Sequence, residues 1–525
     1  PPFDPYLDPA PADPAQTDHS PDLGTLPPLL VDLAGGDPAD YLLEEHRWAT
    51  ADVPRARLVD LNTEAAGYFA ARYPESWAAS YLTERLGSDL ADDPRFAAGY
   101  APAGWTGLVE HLRALGATDT EILAAGLGSR TRTGNLIDRF RDRLVFPIHG
   151  ADGDIHGFIG RRNPATDDAD RAGPKYLNTP ETDLYRKGAQ LLGLHEGRDA
   201  LADGATPVLV EGPIDAYAVT LAGDGRYVGA APLGTAFTDR QADQLRPYIR
   251  DGRPGIVVAT DADPAGERAA ERAYWQLTAR GDNPARLAMS DGLDPADVLR
   301  TGGTTTLQQA LQESGSLAEH LVNQRISAAT HNTATAEERV AAIRAAAEVI
   351  GALRPNRWLH HIDRVTDVLD AVPGSVHLEV IEAGTAWILD PAGQAAARLN
   401  RRAPGVQPAP QKPDVERWRD LAHSIDPRLP GDGGWPMLAD ALTRAHNGGY
   451  DVNGQLPHLA AQHQLPDRNP ATELRYRLHA DTHTANPPPD IAAQWQAATS
   501  TGTRHPQPVP PPARERNLPR DTPGR

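Results

Sequence analysis

Two short stretches place acidic residues where they could hold a metal ion. In VLVEGPIDAY (208–217) an apolar run of strand composition ends at Glu211, and Asp215 follows one helical turn later. In VVATDADPAG (257–266) a second such run ends at Asp261 and Asp263. Residues two apart on an extended chain point the same way, so both of these carboxylates can face one cleft. Two like unit charges 4 Å apart cost about 4 kcal/mol at an effective dielectric of roughly 20. Protonation or a divalent cation must relieve such a cluster, and an all-oxygen ligand set suits Mg²⁺ or Mn²⁺ rather than Zn²⁺. A single Asp at a strand–helix junction is ordinarily a helix cap. Two acidic motifs on neighbouring strand-type runs point instead to metal.

The cations are distributed unevenly. Of 51 Lys+Arg only Lys175, Lys187 and Lys412 are lysines. Where any cation suffices Arg can replace Lys, so the surviving lysines mark positions that need a compact, movable ammonium. Two of the three lie twelve residues apart. Between Arg130 and Arg162 seven Arg face four Asp, a local charge of +3 in a chain whose net charge is −20. The acidic total disfavours nucleic-acid binding over most of the surface but leaves room for a local basic groove.

These residues need elements to position them. Between 207 and 290, PVLV, YVGAA, GIVVAT and ARLAMS alternate with helical stretches (Asp239–Ile249 and Pro264–Arg280 among them), the pattern of a parallel sheet covered by helices. Ligands in such sheets sit beyond the carboxyl ends of the strands. Upstream, LNTEAAGYFAARYPESWAASYLTERLG reads as two amphipathic helices, the first capped by Asn62 or Thr63. RLVFPIHG and DIHGFIGRR read as two antiparallel strands joined by Ala151-Asp152-Gly153, with arginines at both ends. GLGSRTRTG lacks the Lys of a phosphate-binding P-loop and reads as a plain loop.

The expected architecture is α/β: an α+β N-terminal subdomain at 56–202, a Rossmann-like parallel sheet at 203–300, then all-helical modules at 301–402 and 414–485. A Pro/Asp-rich segment at 1–55, a proline linker at 403–413 and a Pro/Arg-rich tail at 486–525 are expected to be disordered. The absence of cysteine excludes disulfides, iron–sulfur clusters, thiol catalysis and Cys-ligated zinc. No apolar run is long enough to span a membrane, and no signal-type stretch follows Pro1. The expected location is the cytoplasm, in a chain that is a piece of a longer polypeptide.

EGPIDAY together with DADPAG resembles the TOPRIM module of bacterial primases, topoisomerases and some nucleases. The flanking blocks LNTEAAGYF, FAAGYAPAGW, RFRDRLVFPIHGADGDIHGFIGRR, PKYLNTPETDLYRKGAQLLGL and DGLDPADVLR are similar, in that order, to the RNA polymerase domain of DnaG-type primases. The resemblance covers roughly residues 56–300. It implies a metal-dependent enzyme that makes short RNA primers from NTPs on a single-stranded DNA template. By the same resemblance, Glu211, Asp261 and Asp263 are catalytic, and with Asp215 they hold two Mg²⁺ or Mn²⁺ ions. Arg141, Arg143, Arg161, Lys175, Tyr176, Asn178, Lys187 and Asp294 face nucleotide or DNA.

The match departs from the family pattern in two places that bear on chemistry. The zinc ribbon common in primases has no cysteines to build it here, so no zinc is expected in this chain. The downstream Asp-Pro-Asp motif reads Asp294-Pro295-Ala296-Asp297, which displaces its second acid by one position. The C-terminal segments VERWRDLAHSIDPRLPGDGGWPMLADAL and PATELRYRL are similar to segments attached to conjugative relaxases, which implies transfer of a mobile element and a relaxase partner. Residues 307–370 could serve as a replicative-helicase contact. The alternatives are a TOPRIM nuclease or topoisomerase, and a non-catalytic single-strand-binding scaffold.

Overall fold

The computed structural model describes residues 52–400 and 415–483, apart from short stretches at 91–92, 94, 132, 167–172, 235, 251–254, 290–291, 328 and 331–334. The N-terminal segment as far as residue 51, the proline linker and the C-terminal tail lie outside the described residues.

Helix α1 (Arg55–Ala70) begins before the caps expected from sequence, because Leu58, Leu61, Ala65 and Phe69 extend one apolar stripe through it. Asn62 is therefore an interior residue: it is buried, and its side-chain amide donates to the Ile155 carbonyl at 3.0 Å. α2 (Trp77–Leu86) ends at Gly87, whose φ of 68° is the left-handed conformation of a helix C-terminus. After β1 (Gly99–Ala101) come α3 (Gly107–Ala114) and α4 (Asp119–Ala124), the latter with a capping box between Thr118 and Glu121. The GLGSRTRTG stretch is not a plain loop. It enters a small hairpin of β2 (Gly128–Arg130) and β3 (Leu136–Asp138).

β4 (Arg143–His149) and β5 (Ile155–Arg162) form the expected hairpin, and β6 (Tyr176–Asn178) extends it to the sheet order β1-β4-β5-β6. Antiparallel pairing sets Arg143 opposite Arg162, so the arginines gather at the open end rather than at both ends. The strands alternate between two cores: Val145 and Phe158 pack with Leu58, Phe69 and Phe140, whereas Leu144, Phe146 and Ile159 pack with Tyr217 and Val208 of the next layer.

That layer is the parallel sheet. β7 (Leu191–Leu192) and α5 (Arg198–Asp203) precede β8 (Thr206–Val210), α6 (Pro213–Ala222), β9 (Tyr227–Pro232), α7 (Asp239–Leu245), β10 (Val257–Ala259), α8 (Pro264–Thr278) and β11 (Ala285–Arg286). α9 (Pro295–Gln312), kinked at Gly303, leads to the edge strand β12 (Gly315–Ser316). The order is β12-β11-β10-β8-β9-β7, parallel through the four middle strands and antiparallel at both edges.

The helices α10 (Leu317–Ser327), α11 (Ala336–Gly351), α12 (Trp358–Leu369), α13 (Pro373–Leu389) and α14 (Pro391–Leu399) share one apolar core with the sheet, from Leu209 and Val258 through Tyr274 to Val376 and Trp387. Apolar packing is thus continuous across residue 300, where the sequence reading set a division. The last helices, α15 (Arg419–Ile425), α16 (Trp435–Asn447), α17 (Val452–Ala461) and α18 (Pro470–His483), enclose a core of their own around Trp418, Trp435, Leu442 and Leu474. They meet the preceding helices through buried charge, with Arg475 donating to Glu379 at 2.5 Å. Among the described residues no helix is long and apolar enough to cross a membrane.

Candidate active site at the carboxyl edge of the parallel sheet

From β8 the chain steps to β9 on one side, then returns past β8 to form β10 on the other. Connections that diverge in this way open a crevice at the carboxyl ends of the two central strands. Val210 pairs with Ala259, so the residues just beyond them emerge side by side. The Asp261 backbone N–H donates to Glu211 Oε1 at 3.0 Å, which joins the two acidic motifs directly. Asp263 caps α8, accepting from the N–H groups of Ala265 and Gly266 at 2.8 and 2.7 Å. It therefore combines the ordinary capping role with a place at the rim.

Two glycines make the close approach possible. A Cβ on Gly266 would lie 2.0 Å from the Asp261 carbonyl oxygen, and one on Gly212 would lie 2.9 Å from Asp215 Oδ2. Gly212 has φ −126°, so it is needed for space and not for a special turn.

The acids repel one another as expected. Burial pushes the Glu211 carboxyl up, opposed by the Asp261 N–H, with Asp261 and Asp263 adding to the rise. Asp261 is raised by its enclosure and then by Asp263 and Asp294, while the Lys175 ammonium pulls it back down. Asp215 is pushed up to about 7 by burial and by the charge on Asp294. Its Oδ1 is buried with no hydrogen-bond partner among the described residues. A buried carboxylate oxygen left unbonded beside other carboxylates is a donor set suited to a hard divalent cation. Among the described residues, however, no three acidic or imidazole side chains already stand in a metal-holding arrangement.

A basic and aromatic wall faces the rim. Arg161 lies between two tyrosine rings, 5.0 Å from the Tyr81 centroid and 5.5 Å from that of Tyr176, and it donates to the Tyr176 hydroxyl at 3.3 Å. Tyr176 is pushed up to about 12, chiefly by burial. Asn178 donates to the Leu233 carbonyl at 2.9 Å, and its amide and the Lys187 ammonium both approach Gly234. Burial lowers the Lys187 ammonium. Of the two lysines singled out by composition, Lys175 acts on Asp261 and Lys187 stands beside Asn178.

Two arginines are placed otherwise. Arg143 is buried, donating to the carbonyls of Gly160 and Pro174 at 3.0 Å each, so it ties strands together and does not face a ligand. Arg141 donates to the Asp138 carbonyl, and its guanidinium lies 4.5 Å over the Trp105 ring. Asp294 caps α9 and binds Arg85. Arg85 and Tyr81 belong to the site region, and sequence reasoning assigned neither a role. Arg85 carries no local signal, since its partner lies 209 residues away. Trp105 stood inside a family block as part of a pattern only.

The family described as the DNA primase catalytic core, N-terminal domain, matches residues 69–198, and a Toprim-like family matches residues 208–299. A DNA primase of Mycolicibacterium smegmatis is 37% identical over 297 residues, covering 55% of this chain and 45% of its own. The crystal structure of the RNA polymerase domain of Mycobacterium tuberculosis primase DnaG is 32% identical with a TM-score of 0.51, covering 60% of this chain and 99% of that domain. A DnaG primase catalytic domain bound to single-stranded DNA is 26% identical with a TM-score of 0.51, covering 60% of this chain and 96% of that one. The chain spans about half the length of the curated relatives it matches.

Proposed function

The chain belongs to the DnaG-type family of bacterial DNA primases, and from that membership we propose that it synthesises short RNA primers from NTPs on a single-stranded DNA template. The observation that carries the reading is the meeting of Glu211 and Asp261 at the strand switch point, opposite Lys175 and Arg161.

The family uses divalent metal. Here Mg²⁺ or Mn²⁺, as two ions, would be held by Glu211, Asp261, Asp263 and Asp215. When bound, they supply a lowered pKa at the attacking hydroxyl and neutralise charge on the departing pyrophosphate. Glu211, oriented by the Asp261 N–H, accepts the proton of the primer 3′-hydroxyl. Lys175 and Lys187 hold the triphosphate as movable point charges, and Arg161, braced between two rings, offers its guanidinium to phosphate. Base pairing selects the nucleotide, so the protein needs only to grip the template backbone and stack its bases. Arg141 and Trp105 on the N-terminal subdomain suit that task. A template of this kind places the reaction in the cytoplasm.

Nuclease, topoisomerase, scaffold and relaxase-linked roles draw no support from the matches described. Incubating the chain with single-stranded DNA, labelled NTPs and Mg²⁺ or Mn²⁺ separates them. Short RNA products are expected. Cut or relaxed DNA would mean a nuclease or topoisomerase, and no product a scaffold.

A further inference from the structure

One end of the acidic rim is already occupied by a protein cation. Arg85, near the end of α2, sends Nη2 to both oxygens of Asp294 at 2.8 and 3.0 Å and Nη1 to Asp297 Oδ1 at 2.5 Å. Asp294 is the acid whose charge raises both Asp215 and Asp261. Arg85 in turn favours the ionised form of Asp215. A guanidinium is a permanent cation whose planar fork suits two carboxylates at once, so it meets the electrostatic demand that a bound ion would otherwise meet.

The sequence departure at Asp-Pro-Ala-Asp belongs to the same arrangement. Ala296 is fully buried in the apolar core and can ligate nothing. The displaced acid, Asp297, is held by Arg85 and Arg300. It serves the guanidinium instead of the rim.

We propose that Arg85 is the resident counter-cation of this end of the rim and competes with a divalent cation for Asp294. The inference rests on the metal reading above, whose four acids do not include Asp294, and extends it to that carboxylate through its influence on Asp215 and Asp261. A second ion must enter against a fixed positive charge, and its entry loosens a tie between the packed helices α2 and α9.

The test is Mn²⁺ binding to the full chain, followed by the electron paramagnetic resonance signal of free Mn²⁺ without nucleotide or DNA. Arg85→Gln keeps hydrogen-bond donors and removes the charge. It should bind one Mn²⁺ equivalent at least tenfold tighter than the wild type. Arg85→Lys keeps the charge but loses the two-carboxylate grip, and should tighten binding by an intermediate factor, about two- to fivefold. If Arg85→Gln does not fold, Arg85→Lys alone decides. Isotherms that superimpose on the wild type, or weaker binding in the variants, would overturn the competition while leaving the metal reading intact. Absence of Mn²⁺ binding in the wild type and both variants would instead overturn the metal reading, and this inference with it.

Discussion

The Asp261 N–H and Glu211 Oε1 lie 3.0 Å apart across 50 residues of chain, a bond that joins the two acidic motifs where the pairing of Val210 with Ala259 brings them together. Glutamine at position 211 can still accept this hydrogen bond, so Glu211→Gln should keep the fold while losing the carboxylate. Primer synthesis is expected to fall by a factor on the order of 10²–10⁴, the range for a lost proton acceptor. Circular dichroism and the melting temperature should stay close to wild type. A variant that primes at the normal rate would remove Glu211 from the chemistry.

Arg143 separates fold from function. Its guanidinium serves one buried and one half-buried carbonyl, and leaving a buried group of this kind unbonded costs about 1–3 kcal/mol. Arg143→Met should therefore lower the melting temperature by several degrees. The folded protein's affinity for single-stranded DNA should be unchanged, measured by fluorescence anisotropy below the melting transition. A large loss of DNA affinity with no loss of stability would return Arg143 to the ligand-facing wall.

Lys175 offers a matched test of the composition argument. It is exposed, and its ammonium pulls down the Asp261 carboxyl. Lys175→Arg keeps the charge but spreads it over a planar group that cannot approach as a point. NTP affinity, measured by calorimetry, should weaken by roughly tenfold, about 1.4 kcal/mol. Equal affinity would show that any cation serves there.

The parallel sheet and its acids were legible because their signals are local. Apolar runs end in Glu211 and Asp261, helices follow, and the topology rule then places both motifs at one edge. The start of α1 was misread because Asn62 looks like a cap, and only the Ile155 carbonyl, supplied by β5, explains a buried amide in mid-helix. Arg143 was assigned to the ligand because a strand-end arginine in a basic run gives no sign of the carbonyls that Gly160 and Pro174 turn toward it. Arg85 was missed for the same reason: Asp294 and Asp297 reach it only through the packing of α2 against α9.

Asp282 gives a pH dependence away from the rim. It is buried, accepts from the Ile256 N–H at 3.1 Å, and is pushed up to about 7, chiefly by burial, from an ordinary value of 3.8. The folded chain thus holds a proton that the unfolded chain has released. The stability this contributes is complete below about pH 4 and is lost as pH rises through about 7, by at most about 1.4 kcal/mol per pH unit. Asp282→Asn keeps the acceptor without the charge. Its melting temperature at pH 8 should exceed that of the wild type by about 2–4 °C per kcal/mol recovered, with no gain at pH 4. The opposite order would mean that the carboxylate is stabilised where it lies.

Trp105 provides the sharpest probe of the template path. The residue is 41% exposed although large, and Arg141 braces its ring from 4.5 Å. An exposed indole backed by a cation is a surface on which an unpaired base can stack. Base–aromatic stacking contributes about 1–3 kcal/mol, so Trp105→Ala should weaken binding of a short single-stranded oligonucleotide roughly 5- to 100-fold. Trp105→Phe should recover part of that loss, since a smaller ring still stacks. Duplex DNA, whose bases are already stacked, should bind both variants nearly as well as the wild type. If single-strand affinity is unaltered in Trp105→Ala, the template runs elsewhere, and Arg141 braces the ring only to hold the N-terminal subdomain together.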